Sequence, residues 1–106
     1  MIFGIYCRKS VLNEKSESIE VQIQLCREYI YSRIDAQAEI RIYADEGFSG
    51  KNTYRPMLMR LIEDIKEHKV DYVVCYRLDR ISRSVSDFSA LIELMNRSGV
   101  SFICIK

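Results

Sequence analysis

Long apolar runs are missing from this chain. None approaches the ~20 residues that a membrane-spanning helix needs, and the start lacks the charged-then-apolar pattern of a secretory signal. The expected compartment is therefore the cytoplasm, with no membrane partner. C-x-x-C pairs are missing too. The four cysteines, Cys7, Cys26, Cys75 and Cys104, form no Cys/His cluster with the single histidine, His68, so no zinc-ligand spacing arises. They read as small, reduced core residues. A phosphatase-type C-x5-R loop also fails, because only four residues separate Cys75 from Arg80. Neither sign of charge is in excess: the formal net charge is +1, which does not announce a polyanion binder. Residues 1–53 carry seven basic and eight acidic side chains, and residues 54–106 carry nine and seven. Any case for a polyanion must therefore come from local placement. Proline occurs once, and with 48% hydrophobic and 29% charged residues the composition is that of a folded protein. A length of 106 residues suits one small domain with one core.

What is present is an alternation of two periods. "IFGIYCR" (2–8) reads as a buried strand, and "VLNEKSE" (11–17) as a polar connection. From 18 to 34 the pattern is helical, with Ile19, Ile23, Cys26 and Ile30 recurring at offsets of four, three and four. "EIRIYA" (39–44) alternates as a strand, with Ile40, Ile42 and Ala44 on one face, and "DEGFSGKNTY" (45–54) reads as a loop. Pro56 suits the first position of a helix whose stripe is Leu58, Leu61, Ile62 and Ile65. "DYVVCYR" (71–77) is a buried strand. A helix follows, with Val85, Phe88, Leu91, Ile92 and Met95 inward and Gly99 as its stop, and "VSFICIK" (100–106) is a fourth strand. Apolar strands separated by amphipathic helices predict an α/β fold, a three-layer open sheet that is mainly parallel. Right-handed crossovers leave few topologies, of which the flavodoxin-like order 2-1-3-4 is expected. The chain stops on a strand without a closing helix, so it is expected to be part of a longer protein.

In such sheets, ligands bind beyond the carboxyl ends of the strands where the order reverses, here between the first and third strands. The first strand ends in Arg8-Lys9-Ser10 and the third in Arg77-Leu78-Asp79-Arg80, with Arg83 beyond. The loop after the second strand, carrying Asp45 and Arg55, opens on the same edge. Tyr6, Arg8 and Ser10 share one side if the extended conformation persists. In a helix starting near Leu78, Asp79, Arg80 and Arg83 crowd one face. A serine hydroxyl facing several guanidinium groups suits attack on a phosphodiester, because arginine binds phosphate bidentately and phosphoryl transfer asks for positioning and positive charge.

Plainer readings exist for each piece. A serine after a strand is ordinarily a turn residue. Arg80 and Arg83 beside Asp79 suit a surface ion-pair face, Arg55 a solvated helix flank, and Gln22 an exposed helix position. Their convergence on one edge outweighs these readings, and other chemistries lack partners. His68 precedes the third strand and so lies at the opposite end of the sheet, which removes Ser-His-Asp hydrolysis. G-x-G-x-x-G and phosphate-loop patterns are missing after the first strand. A two-metal phosphodiesterase wants clustered carboxylates, yet only Asp45, Glu46 and Asp79 reach this edge, amid arginines. Two rivals remain: a metal-dependent nuclease or phosphatase relying on Asp45 or Asp79, and a non-catalytic receiver-like module. The latter would need an acidic pocket where this chain has Arg8, Lys9 and Ser10.

Four motifs in order carry a resemblance. They are Tyr6-Cys7-Arg8-Lys9-Ser10 (Y-x-R-x-S), Ser18-Ile19-Glu20-Val21-Gln22 (S-I-E-x-Q), "DEGFSGKNTYRP" (45–56) and "LDRISR" (78–83). Together they resemble the catalytic domain of the serine recombinases (resolvases, invertases and serine integrases) over essentially the whole chain. The resemblance implies a resolvase-like catalytic fold and site-specific DNA recombination. Ser10 would become linked to a 5′ phosphate and release a 3′ hydroxyl. Arg8, Arg80 and Arg83 would bind the scissile phosphate, and Arg55 would add a contact. Gln22 would help to position the site, and Asp79 would orient the arginines or assist proton transfer. Tyr6 and Asp45 are supporting positions. Neither metal nor cofactor is implied. The implied partners are double-stranded DNA recombination sites and further copies of the chain, as a homodimer that assembles to a homotetramer. Helix length and the "GFSGKNTYRP" segment lean toward the large branch, the integrases and transposases of mobile elements. Residues 1–106 would then be a partial catalytic domain, with the remaining core, a dimerisation helix and a DNA-binding region beyond Lys106.

Overall fold

The computed structural model describes residues 1–9, 18–46, 56–76 and 85–105, apart from the side chains of 9, 46 and 85–88. Seven elements alternate: β1 (Ile2–Lys9), α1 (Ile19–Arg33), β2 (Glu39–Glu46), α2 (Pro56–Lys66), β3 (Tyr72–Cys75), α3 (Val85–Arg97) and β4 (Ser101–Cys104). The four strands form one parallel sheet in the order β2-β1-β3-β4, as the hydrophobic pattern predicts. Every strand therefore points the same way, and β1, β2 and β3 run out toward one edge at Lys9, Glu46 and Cys75.

The pleat divides the core into two layers. Phe3, Ile5, Cys7 and Val74 face α1, where they meet Cys26 and Ile30. Tyr6, Tyr43 and Val73 face the opposite way and meet Leu61 and Ile65 of α2 and Leu91 and Met95 of α3. Phe3 also stacks on Tyr72 of β3, with ring centroids 4.5 Å apart and an interplanar angle of 9°. At Gly4 the packing of α2 on the sheet leaves little room for a side chain: an added Cβ would lie 3.2 Å from Tyr43 Cε2 and 3.3 Å from Leu61 Cδ1, so these side chains would have to give by a few tenths of an ångström. Helix ends follow local chemistry. Ser18 caps α1 by accepting the Val21 amide at 3.2 Å. α3 stops at Gly99, whose φ of +73° is one that glycine adopts without penalty.

Several boundaries differ from the sequence reading. β2 continues through Asp45 and Glu46, so Asp45 belongs to a strand and not to the loop expected there. Pairing with β1 in register extends β2, with Arg8 opposite Asp45 and Lys9 opposite Glu46. β3 is shorter than 71–77, and β4 shorter than 100–106. The polar connection at 11–17, the loop at 47–54, the side chains of Val85 and Phe88, and Lys106 lie outside the described residues.

Candidate functional site

Four of the nine residues expected at the site are described: Tyr6, Arg8, Gln22 and Asp45. Ser10, Arg55, Asp79, Arg80 and Arg83 lie outside the described residues, as does Arg77. The four described residues stand at the carboxyl edge of the sheet and tie β1, α1, β2 and α2 together there.

Arg8 is the penultimate residue of β1 and only 7% exposed. Guanidinium groups stay protonated at any working pH, so this edge contains a fixed positive charge held largely away from water. Its backbone is held from the other layer. Gln22, on the first turns of α1, is fully buried, and its Nε2 donates to the Arg8 carbonyl oxygen at 3.2 Å. A polar residue at that position ordinarily faces solvent. Here the turn of α1 nearest the sheet edge points Gln22 at β1, and the amide satisfies a strand carbonyl that no helix residue of apolar type could reach.

Asp45 is 2% exposed, and both its oxygens are engaged. Tyr6 Oη donates to Oδ2 at 2.8 Å. The Met57 amide donates to Oδ1 at 3.0 Å and the Leu58 amide to Oδ2 at 3.1 Å. These amides belong to the first turn of α2, where N–H groups have no intrahelical acceptor. Asp45 therefore does for α2 what Ser18 does for α1, but from β2 and not from the residue just before the helix. Its carboxylate also occupies the place where a helix amino end would otherwise attract a free anion. Among the described side chains at this edge, the positive charge is that of Arg8.

Thiols at this edge are poor nucleophiles. Burial, with a smaller contribution from Cys26, pushes Cys7 up to about 12. Burial and then Cys104 raise Cys26 to about 12, and the same two causes raise Cys75 as well. A thiol so far above neutral pH carries almost no thiolate. The cysteines are unbridged, as expected, with Cys7, Cys26 and Cys75 buried and Cys104 half-buried. Among the described residues no group of three or more His, Cys, Asp or Glu side chains could hold a metal ion. No helix among them is long and apolar enough to cross a membrane. His68 is exposed in the turn after α2, far from the carboxyl edge, as its position before β3 requires.

One buried polar pair gave no sign in the sequence. Tyr43 Oη donates to Asp64 Oδ2 at 2.5 Å, and Arg60 Nε lies 3.4 Å from Oδ1. It joins β2 to α2 on the same face of the sheet as Tyr6 and Asp45, nearer the carboxyl end of the helix. Burial, followed by the Asp64 carboxylate, pushes the Tyr43 phenol up to about 12.

Comparison with known proteins gives a consistent picture. The family model described as "Resolvase, N terminal domain" matches residues 3–106. A protein of Bacillus subtilis (strain 168) described as a putative DNA recombinase is 32% identical over 104 residues, covering 96% of this chain and 20% of the relative. The transposon Tn917 resolvase of Enterococcus faecalis is 33% identical over 106 residues, covering the whole chain and 50% of the relative. This chain thus spans from a fifth to half the length of these two relatives. Among solved structures, the N-terminal catalytic domain of TP901-1 integrase superposes with a TM-score of 0.83 at 34% identity, covering 99% of this chain and 77% of that one. The C-terminal catalytic domain of ISC1926 TnpA, an IS607-like serine recombinase, gives a TM-score of 0.81 at 28% identity over 100% and 70% of the two chains.

Proposed function

Because the chain belongs to the resolvase N-terminal domain family, we propose that it cleaves and rejoins DNA at recombination sites with Ser10 as nucleophile. The observation that carries this reading is the buried Arg8, two residues before Ser10, whose main chain is fixed by Gln22 at the carboxyl end of β1. Such preorganised charge is what phosphoryl transfer requires, since little else is needed beyond positioning and neutralisation.

In this mechanism Ser10 Oγ bonds to the scissile phosphorus while the bond from phosphorus to the 3′ oxygen breaks. The serine gives up its proton, and the departing oxygen gains one to become a 3′ hydroxyl. The product is a 5′ phosphoserine ester. Attack by a 3′ hydroxyl of the exchanged partner strand reverses each step, so the ester conserves the energy for rejoining and no ATP or metal is consumed. Arg8, Arg80 and Arg83 stabilise the charge on the phosphate oxygens, Arg55 adds a contact, and Asp79 orients the arginines or assists proton transfer. Gln22 and Tyr6 keep their positioning roles from the site described above. A metal-dependent nuclease would draw on Asp45 or Asp79, and of these Asp45 already accepts three hydrogen bonds.

On the same reading, residues 1–106 are part of the catalytic domain of a cytoplasmic recombinase of the large branch, an integrase or transposase of a mobile element. Support comes from the likeness to an integrase domain of which the chain covers 77%. The remaining core, a dimerisation helix and a DNA-binding region are supplied by further chain, and two homodimers pair their double-stranded sites in a tetramer.

The test uses the full-length protein and a duplex recombination site with a nick that traps cleavage, in excess EDTA. A covalent protein–DNA adduct in EDTA that disappears in Ser10→Ala is the expected result. Cleavage that requires metal and persists in Ser10→Ala overturns the proposal.

A further inference from the structure

We propose that Cys75 and Cys104 are a redox-sensitive pair: a low-molecular-weight disulfide of the glutathione class converts their two thiols into one disulfide that fastens β4 to β3. The inference goes beyond the serine-nucleophile reading and uses neither Ser10 nor the arginines.

The sheet register brings the two thiols together. Cys75 is the last residue of β3 and Cys104 the last of β4, and they are direct register partners in adjacent parallel strands. Neighbouring strands run about 4.8 Å apart, and register partners point to the same face. Their Cα atoms therefore fall inside the window of about 4.4–6.8 Å that a disulfide spans. The sulfurs already meet. Cys75 shares a side-chain hydrogen bond with Cys104, and Cys104 Sγ donates across to the carbonyl oxygen of Tyr76, one residue past β3, at 3.9 Å. Access differs between the partners: Cys104 is half-buried and Cys75 is buried. Cys104 is thus the point of entry, with Cys75 behind it. Cys7 and Cys26 offer no such entry, because both are buried.

The exchange balances with that one reactant. The Cys104 thiolate attacks one sulfur of the small disulfide, which forms a mixed disulfide and releases one small thiol. Cys75, on losing its proton, displaces the second small thiol from Cys104, and the Cys75–Cys104 bond forms. The two protein sulfurs are oxidised, the two sulfurs of the reagent are reduced, and both protons leave on the released thiols. Burial, followed by the charge of Cys104 and the hydrogen bond with it, raises the Cys75 thiol. Little thiolate is then present, which slows the second step, while a neutral disulfide suits a place that resists charge. Parallel Cβ atoms on adjacent strands lie about as far apart as the strands, a little beyond the roughly 3.5–4.5 Å of a relaxed bridge. A bridge strained in this way is easily reduced, which is the character of a regulatory disulfide. Among the described residues β4 pairs with β3 alone, so the bond ties an edge strand to the sheet.

The experiment treats the reduced full-length protein with glutathione disulfide in native buffer, blocks the remaining thiols with iodoacetamide, and maps tryptic peptides by mass spectrometry. The expected product joins residues 70–77 to residues 98–106 and disappears on native treatment with dithiothreitol. Cys75→Ala is expected to stop at the mixed disulfide on Cys104, at a level tenfold or more above wild type. Cys104→Ser is expected to take up no glutathione on Cys75. In the oxidised wild type, the backbone amides of β4 are expected to exchange hydrogen at least about tenfold more slowly than in the reduced protein. A wild type that stays reduced, that keeps glutathione on Cys104, or that links Cys104 to another cysteine or to a second copy overturns the proposal. Exchange in β4 that oxidation leaves unchanged overturns the fastening of the edge. The wild-type peptide map decides the pairing even where a variant fails to fold. Failure of this pair leaves the nucleophile reading intact, since that reading stands or falls on the DNA adduct.

Discussion

Replacing Gly4 with alanine tests how tightly α2 is packed on the central strand. The new methyl would lie 3.2 Å from Tyr43 Cε2, 3.3 Å from Leu61 Cδ1 and 3.5 Å from Val70 Cγ1. All three neighbours are buried, with Leu61 at 0% and Tyr43 and Val70 at 3% exposure, so none can swing into solvent. Overpacking of this kind costs about 1–3 kcal/mol. Alanine recovers about 0.4–1 kcal/mol by restricting the unfolded chain, because Gly4 has ordinary strand geometry. The net loss is therefore roughly 0–2.6 kcal/mol, with a midpoint of about 1.3 kcal/mol, against the 5–15 kcal/mol typical of a domain. A loss of about 1.3 kcal/mol lowers the urea midpoint by about 0.9 M at an m-value of about 1.5 kcal/mol/M. The cause is checked with Leu61→Val, which withdraws one of the contacting methyls. The double variant should be less destabilised than the sum of the singles by at least about 0.5 kcal/mol. Additive losses, or a Gly4→Ala protein more stable than wild type, would refute the packing account.

Gln22→Leu should leave the buried Arg8 carbonyl without its amide donor, costing about 1–3 kcal/mol in chemical denaturation and slowing adduct formation; an unchanged protein would contradict the positioning role. The raised thiols predict a pH dependence. Cys7 and Cys26 rise from an ordinary value of 9.0 to about 12, so the unfolded chain loses these protons first, and the stability they contribute is complete below about pH 9 and lost as pH rises toward 12. The denaturant midpoint should fall over that window, and a flat profile would count against burial of these groups. At pH 8, half-buried Cys104 should react with an aromatic disulfide reagent before Cys7 and Cys26, whose modification should wait for unfolding. His68 has a φ of 58°, so His68→Gly should raise stability by about 0.5–1 kcal/mol and the melting midpoint by a few degrees.

The strand order was legible because β1 and β3 are continuous apolar runs while α2 and α3 carry apolar stripes at helical spacing. That combination demands a parallel sheet covered on both faces, and the handedness of crossovers then leaves little choice. Gln22 was legible only through a motif. As a residue type it belongs on a solvated face, and its burial follows from the way α1 meets the edge of β1, a tertiary fact. Asp45 was read as the start of a loop because two glycines and other turn formers follow it in residues 45–54. The alternation of Ile40, Ile42 and Ala44 had in fact left Tyr43 and Asp45 together on the other face, which is the more buried one. Its donors lie 12 and 13 residues along the chain, beyond the reach of any local capping pattern. Asp64 was silent for the same reason, since Tyr43 is 21 residues away.

The most direct test of the central claim is to locate the covalent bond. The adduct formed by the full-length protein on the trapped recombination site is digested with protease and nuclease, and the nucleotide-bearing peptide is sequenced by mass spectrometry. The account predicts a 5′-phosphate ester on Ser10, with a free 3′ hydroxyl on the released strand. An ester on Tyr6, on another serine such as Ser16 or Ser18, or through a 3′ phosphate would contradict it.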